Sequence, residues 1–261
     1  MITLLNGDTW DRDALIKKMY DDDFYYGHLG SAAMSSSSIK LLNQSPKTYK
    51  FVTQYGQKTS SPALEIGNFI HTMVLEPHLI EERFHIVNVQ SRASKAYKEA
   101  KAKSSKIVLT AKEHDQNMRI VDAVLRNEHV LSMIGGCDFE IPAIDMLEGY
   151  AFRGKADIYD AKHSFIADLK TTQDLNKFEW SADKYGYDVQ SFIYGELFNV
   201  PFSNFHFIVV DKNTLDIGII GMEQSFINKG YKKLKEGLER YKEFFVNHND
   251  IDSYTLRMTL T

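Results

Sequence analysis

Two periodicities divide the chain. Apolar residues recur every three or four positions in some stretches and alternate with polar ones in others, the marks of helix and strand. Four serines, 35–38, precede Ile39, Leu41 and Leu42, a cluster of the kind that caps a helix N-terminus. Ser45-Pro46 and Ser61-Pro62 repeat the signal, with Ser as cap and Pro in the first turn. The second opens a longer helix to about Leu75, stopped by Pro77, with Ile66, Ile70 and Val74 on one face. Residues 84–89 alternate as a strand. Thr110-Ala-Lys-Glu113 is a capping box that opens a helix to about Asn127, and Gly135-Gly136 ends a second short helical stretch.

Three β-like runs come next, at 138–147, 149–159 and 165–171, with turns at Glu148-Gly149 and 161–164. Two helical stretches follow, at 176–183 and 187–198. A hairpin of 205–211 and 215–222 leads to a long closing helix over about 225–246, laced with Lys and Glu four apart, as in Lys232–Glu236. There are no internal repeats. Helices, a β-meander, more helices and a last hairpin predict an α/β (α+β) fold, a mixed central sheet flanked by helices. A length of 261 residues suits one main domain, expected over 34–261. Residues 1–33, with six Asp before Gly30, are expected to form an N-terminal extension.

Composition narrows the function. At 43% hydrophobic and 25% charged the chain is not a disordered one. No apolar run approaches the ~20 residues of a membrane span, and Met1 to Asn6 lacks the basic and apolar regions of a signal peptide. A single cysteine, Cys137, allows no internal disulfide and no four-cysteine zinc site or iron–sulfur cluster, so a reducing cytoplasm is the expected location. The net charge of -4 argues against nucleic-acid binding by bulk charge but leaves room for a local basic surface. One is at hand: Arg92, Lys95, Lys98, Lys101, Lys103 and Lys106 face only Glu99 in 91–106.

The segment from Tyr150 to Thr172 carries the chemistry. Ile166, Asp168 and Lys170 share one face of a strand that otherwise reads as buried, and charge there needs compensation. A turn centred between Lys162 and His163 sets Asp157 opposite Asp168 and Lys155 opposite Lys170. Directly opposed residues lie about 5 Å apart, where like charges repel. Two carboxylates so held call for a cation, and their oxygen ligands suit Mg²⁺ or Mn²⁺. Lys170 would then steer an attacking water or neutralise charge at a phosphorus centre. On register alone, a solvated surface hairpin accounts for the same residues, because 161–164 is not a strong turn signal.

Asp157 followed by Asp168-Leu169-Lys170 resembles the PD-(D/E)XK nuclease motif in its Asp-x-Lys form. Gln190-Ser-Phe-Ile-Tyr194 is similar to the Gln-x-x-x-Tyr motif of the RecB-type branch, and His71 to that branch's upstream histidine. With residues 34–51 added, the resemblance runs over about 34–241 and is closest to the phage-type RecE/exonuclease VIII exonucleases. It implies a restriction-endonuclease-like sheet. It implies Asp157 and Asp168 as metal ligands, with His71 and the Leu169 backbone carbonyl completing the site, and Lys170 acting on water. Gln190 and Tyr194, four apart on one helix face, would reach toward the metal or the DNA end. The resemblance further implies Mg²⁺ (or Mn²⁺), 5′→3′ resection of double-stranded DNA ends, a ring-shaped homo-oligomer, and a single-strand annealing protein as recombination partner. A RecB-type nuclease of other geometry, such as an endonuclease, and a non-catalytic DNA-binding protein of the same fold are the alternatives.

Other residues carry two readings each. His71, four residues after Gly67, is either a site residue or a half-buried helix histidine. Glu140 is an additional acid of the site or an edge carboxylate. Ser36, Ser38 and Lys40 would contact DNA phosphate at a helix N-terminus, although capping alone explains the serines. Lys95, Lys98, Lys101 and Lys103 either contact phosphates or are solvated. Phe178 and Trp180 are candidates for a wedge that stacks on a DNA strand.

Overall fold

The structure is a computed structural model and describes residues 1–56 and 61–256; residues 257–261 of the expected domain lie outside the described residues. Its centre is a sheet ordered β1 (Asp138–Leu147), β2 (Tyr150–Asp160), β3 (Phe165–Thr172), β4 (Phe205–Asp211) and β5 (Ile217–Ile220). Neighbours run antiparallel except β3 and β4, which are parallel, so the sheet is mixed. Seven helices matter for the site: α1 (Ser36–Gln44), α2 (Pro62–Leu75), α3 (Lys95–Lys103), α4 (Ala111–Arg126), α5 (Phe178–Tyr185), α6 (Tyr187–Phe198) and α7 (Gln224–Tyr241). A parallel pair needs a crossover, and α5 and α6 supply it between β3 and β4.

Both faces of the sheet are covered. Phe205, Phe207 and Val209 of β4 enter a core with Ile39 of α1, Ile193 of α6 and Leu234 of α7. Ile208 and Val210, pointing the other way, pack with Phe69 of α2 and Val121 of α4. An unbroken apolar run such as 207–210 is what a strand buried on both faces requires. No described helix is long and apolar enough to cross a membrane.

The N-terminal segment is bonded into this body. Ile2, Leu4, Leu15, Met19 and Leu29 share a third core with Ile144 of β1 and Ala151 of β2. Met34 donates its N–H to the Ala151 carbonyl and accepts from Arg153 N–H, tying the segment to the edge of β2. Residues 91–106 are more regular than a solvated run: Ser94 caps α3 by accepting from Tyr97 N–H. Phe84–Val87 pairs in parallel with Ile107–Thr110, a strand the periodicity does not reveal because it ends in the α4 capping box.

Two close approaches fix α6. A Cβ on Gly230 of α7 would lie 2.1 Å from the Asp188 carbonyl oxygen, so only glycine lets the helices meet there. One turn on, Lys233 reaches the fully buried Asp188 carboxylate at 2.7 Å. A Cβ on Gly154 of β2 would lie 2.8 Å from the Tyr194 ring, which lies against the strand.

Candidate active site

The site is built where the sheet comes apart. β2 and β3 pair at Asp160↔Phe165, Tyr159↔Ile166 and Ile158↔Ala167, the register read from the sequence, and the ladder then stops. One residue further, Asp157 Oδ2 accepts the Leu169 N–H at 2.9 Å, a side chain standing in for a strand bond. On the other edge of β2, the pairing with β1 skips Glu140 and Asp157. Glu140 has a φ of 54°, a left-handed conformation that costs a non-glycine residue about 1–3 kcal/mol and tends to occur at functional sites. The alternation reverses there. Ala156 belongs to one core layer and Ile158 to the other, although a regular strand would keep them on one face. The expected opposition of Lys155 and Lys170 therefore does not form: Lys155 pairs with Asp22 at 2.6 Å, and Lys170 with Asp168.

Glu140 and Asp157 line a cleft of about 860 Å³ together with His71 of α2. A side chain on Gly67, one turn before His71, would meet nothing within 4 Å, so the cleft stays open above the imidazole. His71 Nε2 lies 2.8 Å from Asp157 Oδ2 and Nδ1 lies 3.4 Å from Glu140 Oε1. Burial works against a charged imidazole, but Asp157 and Glu140 outweigh it and hold the His71 pKa up at about 9. Burial and the Asp157 charge push Glu140 up to about 8. Asp157 shifts the other way: burial opposes its charge, yet His71 and Lys170 keep it below the usual carboxylate range.

These groups fit a divalent cation. Ligand atoms of His71, Glu140 and Asp157 lie within 4.8 Å of one another, and Glu140 Oε1 is buried without a hydrogen-bond donor. Two carboxylates and an imidazole suit Mg²⁺ or Mn²⁺. Glu140 thus stands beside His71 and Asp157, although no local spacing in the sequence ties it to them.

Asp168 is fully buried on the adjoining strand, and burial together with the Asp157 charge pushes its carboxyl up to about 6. Its two oxygens are taken by Lys170 and by the Gln190 side-chain amide. Burial opposes the Lys170 charge, but Asp168 and Asp157 raise its pKa, so the ammonium persists. Gln190 therefore touches the acid rather than the cleft. Tyr194, on the same helix face, lines the cleft, and its hydroxyl accepts from Lys155 N–H at 3.4 Å. Leu169 meets Asp157 through its N–H; the resemblance gave a role to its carbonyl.

The candidate DNA contacts scatter. Ser36 lines the cleft, whereas Ser38 is buried and its hydroxyl closes the α1 capping box with Ser35. Lys40 is half-buried over the Tyr185 ring. Lys95, Lys98 and Lys103 are exposed along α3, and Lys101 reaches the buried Glu65 carboxylate at 2.8 Å. Residues not singled out from the sequence also line the cleft: Asp22, Tyr25, Tyr26, Arg83 and Arg153; so do Lys106 of the basic run and Lys155. Arg153 and Lys155 had a signal, since they precede Asp157 at every second position of one strand. Asp22 and Arg83, paired at 2.9 Å across 61 residues of chain, had none.

With this geometry in view, known proteins offer a fold and a family. A crystal structure described as "Putative exonuclease" from Eubacterium rectale superposes with a TM-score of 0.68 at 16% identity, over 92% of this chain and 95% of that one. A phage related exonuclease from Haemophilus somnus 129PT is aligned at 13% identity over 85% of this chain and 99% of that one, with a TM-score of 0.37. No curated protein matches the chain. Residues 35–250 match the family described as "PDDEXK-like domain of unknown function (DUF3799)", so the chain belongs to that family and has a PD-(D/E)XK fold.

Proposed function

We propose that this chain is a divalent-metal-dependent nuclease that resects the ends of linear double-stranded DNA. The observation that carries the reading is the broken ladder, which gathers His71, Glu140 and Asp157 in the cleft and sets Asp168 and Lys170 beside them. A bound divalent cation would supply Lewis-acid polarisation of a phosphate oxygen and a more acidic water. His71, Glu140 and Asp157 would hold it. Lys170 keeps its charge next to Asp168, so its ammonium is ready for the attacking water or the phosphate charge. Gln190 holds Asp168 in place through its amide. Arg83, Lys106, Arg153 and Lys155 around the cleft suit a phosphate backbone. The resemblance adds 5′→3′ polarity, a homo-oligomeric ring and a single-strand annealing partner in phage-type recombination.

End-labelled linear duplex and a closed circle, each incubated with Mg²⁺ and with chelator, test this. Loss of the linear duplex from its ends, with the circle spared, is expected only in Mg²⁺. Nicking of the circle would mean an endonuclease. Binding without cleavage of either substrate would leave only a DNA-binding role.

A further inference from the structure

A strip of alternating rings and ammonium groups leads outward from Lys170. Its Nζ lies 4.7 Å from the centre of the Tyr187 ring, and Tyr187 lies 6.0 Å from Tyr185. Lys40 Nζ stands 5.1 Å from the Tyr185 ring, and Lys184 Nζ stands 5.6 Å from that ring and 4.6 Å from Trp180. The strip exists because α5 ends at Tyr185 and Gly186, with a φ of 74°, turns the chain directly into α6. It joins the cleft at α1, where Lys40 follows the cleft-lining Ser36 by one turn.

Two features single it out. Trp180 is 64% exposed and Tyr185 47%, large rings held in water next to a charged site. Phe178, by contrast, is buried against Tyr187 and cannot stack on a ligand. Among the described residues the outer cations, Lys40 and Lys184, make no ion pair with an acid, and the charge that faces Lys40 is another cation, Lys184. Two ammonium groups over one ring repel, and an anion between them would relieve this. Rings offering their faces alongside cations without acids match a polyanion whose bases are unpaired, because a duplex hides its base faces.

We propose that this strip binds single-stranded DNA, with bases stacked on Trp180 and Tyr185 and phosphates held by Lys40 and Lys184. The assignment rests on the nuclease reading only for its meaning: the strand would be one that the site has exposed or is feeding. Binding is measured separately from cleavage, with chelator present, using a fluorescent oligothymidine and the full chain. Trp180→Ala is expected to weaken binding about ten-fold, and Trp180→Phe, which keeps a ring, to retain most of the affinity. The double variant Lys40→Ala/Lys184→Ala should lower the log–log salt slope by about 0.7 for each phosphate no longer neutralised. Both Trp180 and Lys184 are exposed, so the variants keep the core intact. Unchanged affinity in Trp180→Ala, or an unchanged salt slope in the double variant, overturns the proposal. If the parent binds through Trp180 but never degrades DNA in Mg²⁺, the strip stands and the nuclease reading falls. If it degrades linear duplex while Trp180→Ala binds oligothymidine like the parent, the reverse holds.

Discussion

A divalent ion entering the cleft must displace protons, and the structure says how many. His71, with its pKa held at about 9, and Glu140, at about 8, both carry protons at pH 7. Neither can act as a ligand while protonated. Two pH units for His71 and one for Glu140, at 1.36 kcal/mol per unit, make the penalty about 4 kcal/mol at pH 7. Mg²⁺ affinity should therefore rise by about 10³ between pH 7 and pH 9 or above, most steeply below pH 8. Calorimetry at pH 7 in two buffers of different ionisation enthalpy gives the proton count directly. Close to two protons released per ion is expected, falling to about one in His71→Asn. Release of no proton, with an affinity that does not change with pH, would refute the assignment of His71 and Glu140 as ligands.

The same shifts govern stability before the ion binds. Both groups bind protons more tightly in the folded chain than in the unfolded one, so the stability they contribute is present at low pH. It is lost as pH rises from about 4.5 to 8 for Glu140 and from about 6.5 to 9 for His71. Asp168, raised to about 6, has the same sign in a lower window. Asp157 is depressed, and its contribution is lost only in acid, below its ordinary range. Thermal melting without added metal should fall between pH 6 and pH 9, and Mg²⁺ should restore most at the alkaline end.

Gly230→Ala should lower stability by more than about 2 kcal/mol in denaturant titration, because its methyl would meet the Asp188 carbonyl at 2.1 Å and neither helix backbone can yield. Lys170→Met should slow single-turnover cleavage about 10²–10³-fold while calorimetry finds metal affinity largely retained, and Lys170→Arg should not restore the rate, because a planar fork replaces a compact charge. Asp22→Asn should release Lys155 for phosphate while Arg83 stays paired with Glu76, steepening the salt dependence of duplex binding by up to about 0.9; an unchanged slope would show that Lys155 stays out of reach of DNA.

What could be read in the sequence was local. Thr110 and Glu113 announce their capping box within four residues, and Ser-Pro pairs mark where α2 and the helix Pro46–Tyr55 before it begin. The turn length between β2 and β3 gives the right register for the last three pairs. It could not give the point where the ladder fails. That depends on one carboxylate capturing the Leu169 N–H and on a left-handed backbone at Glu140, a residue type that carries no such signal. Glu140 belongs to the cleft because of this kink, which is why its place was open between site acid and edge carboxylate. Lys101 fails for a related reason: its partner Glu65 lies 36 residues away and is buried, so a lysine that reads as free is committed to a structural ion pair.

The charges of the cleft explain why a site so rich in acids can be folded at all. Isolated buried carboxylates would protonate or destabilise the chain. Here His71 stands between Glu140 and Asp157, Lys170 on Asp168, and Lys155 with Arg83 on Asp22. Binding a divalent ion then exchanges one cation for another, and binding a phosphate exchanges one anion for another. Each exchange begins from a compensated state, so its free energy is a difference between two good sets of contacts and stays sensitive to pH and salt. Removing a single partner has a different effect. His71→Ala would leave Asp157 and Glu140 facing each other without a cation, so one of them would hold its proton up to higher pH than in the parent. Between about pH 8 and pH 9, where Glu140 is ionised and His71 still carries its proton, paired neutralisation, His71→Gln with Glu140→Gln, removes one charge of each sign and should cost less stability than the sum of the two single changes. That coupling is what neighbouring members of one network show, and a purely additive result would mean that His71 and Glu140 do not share a site.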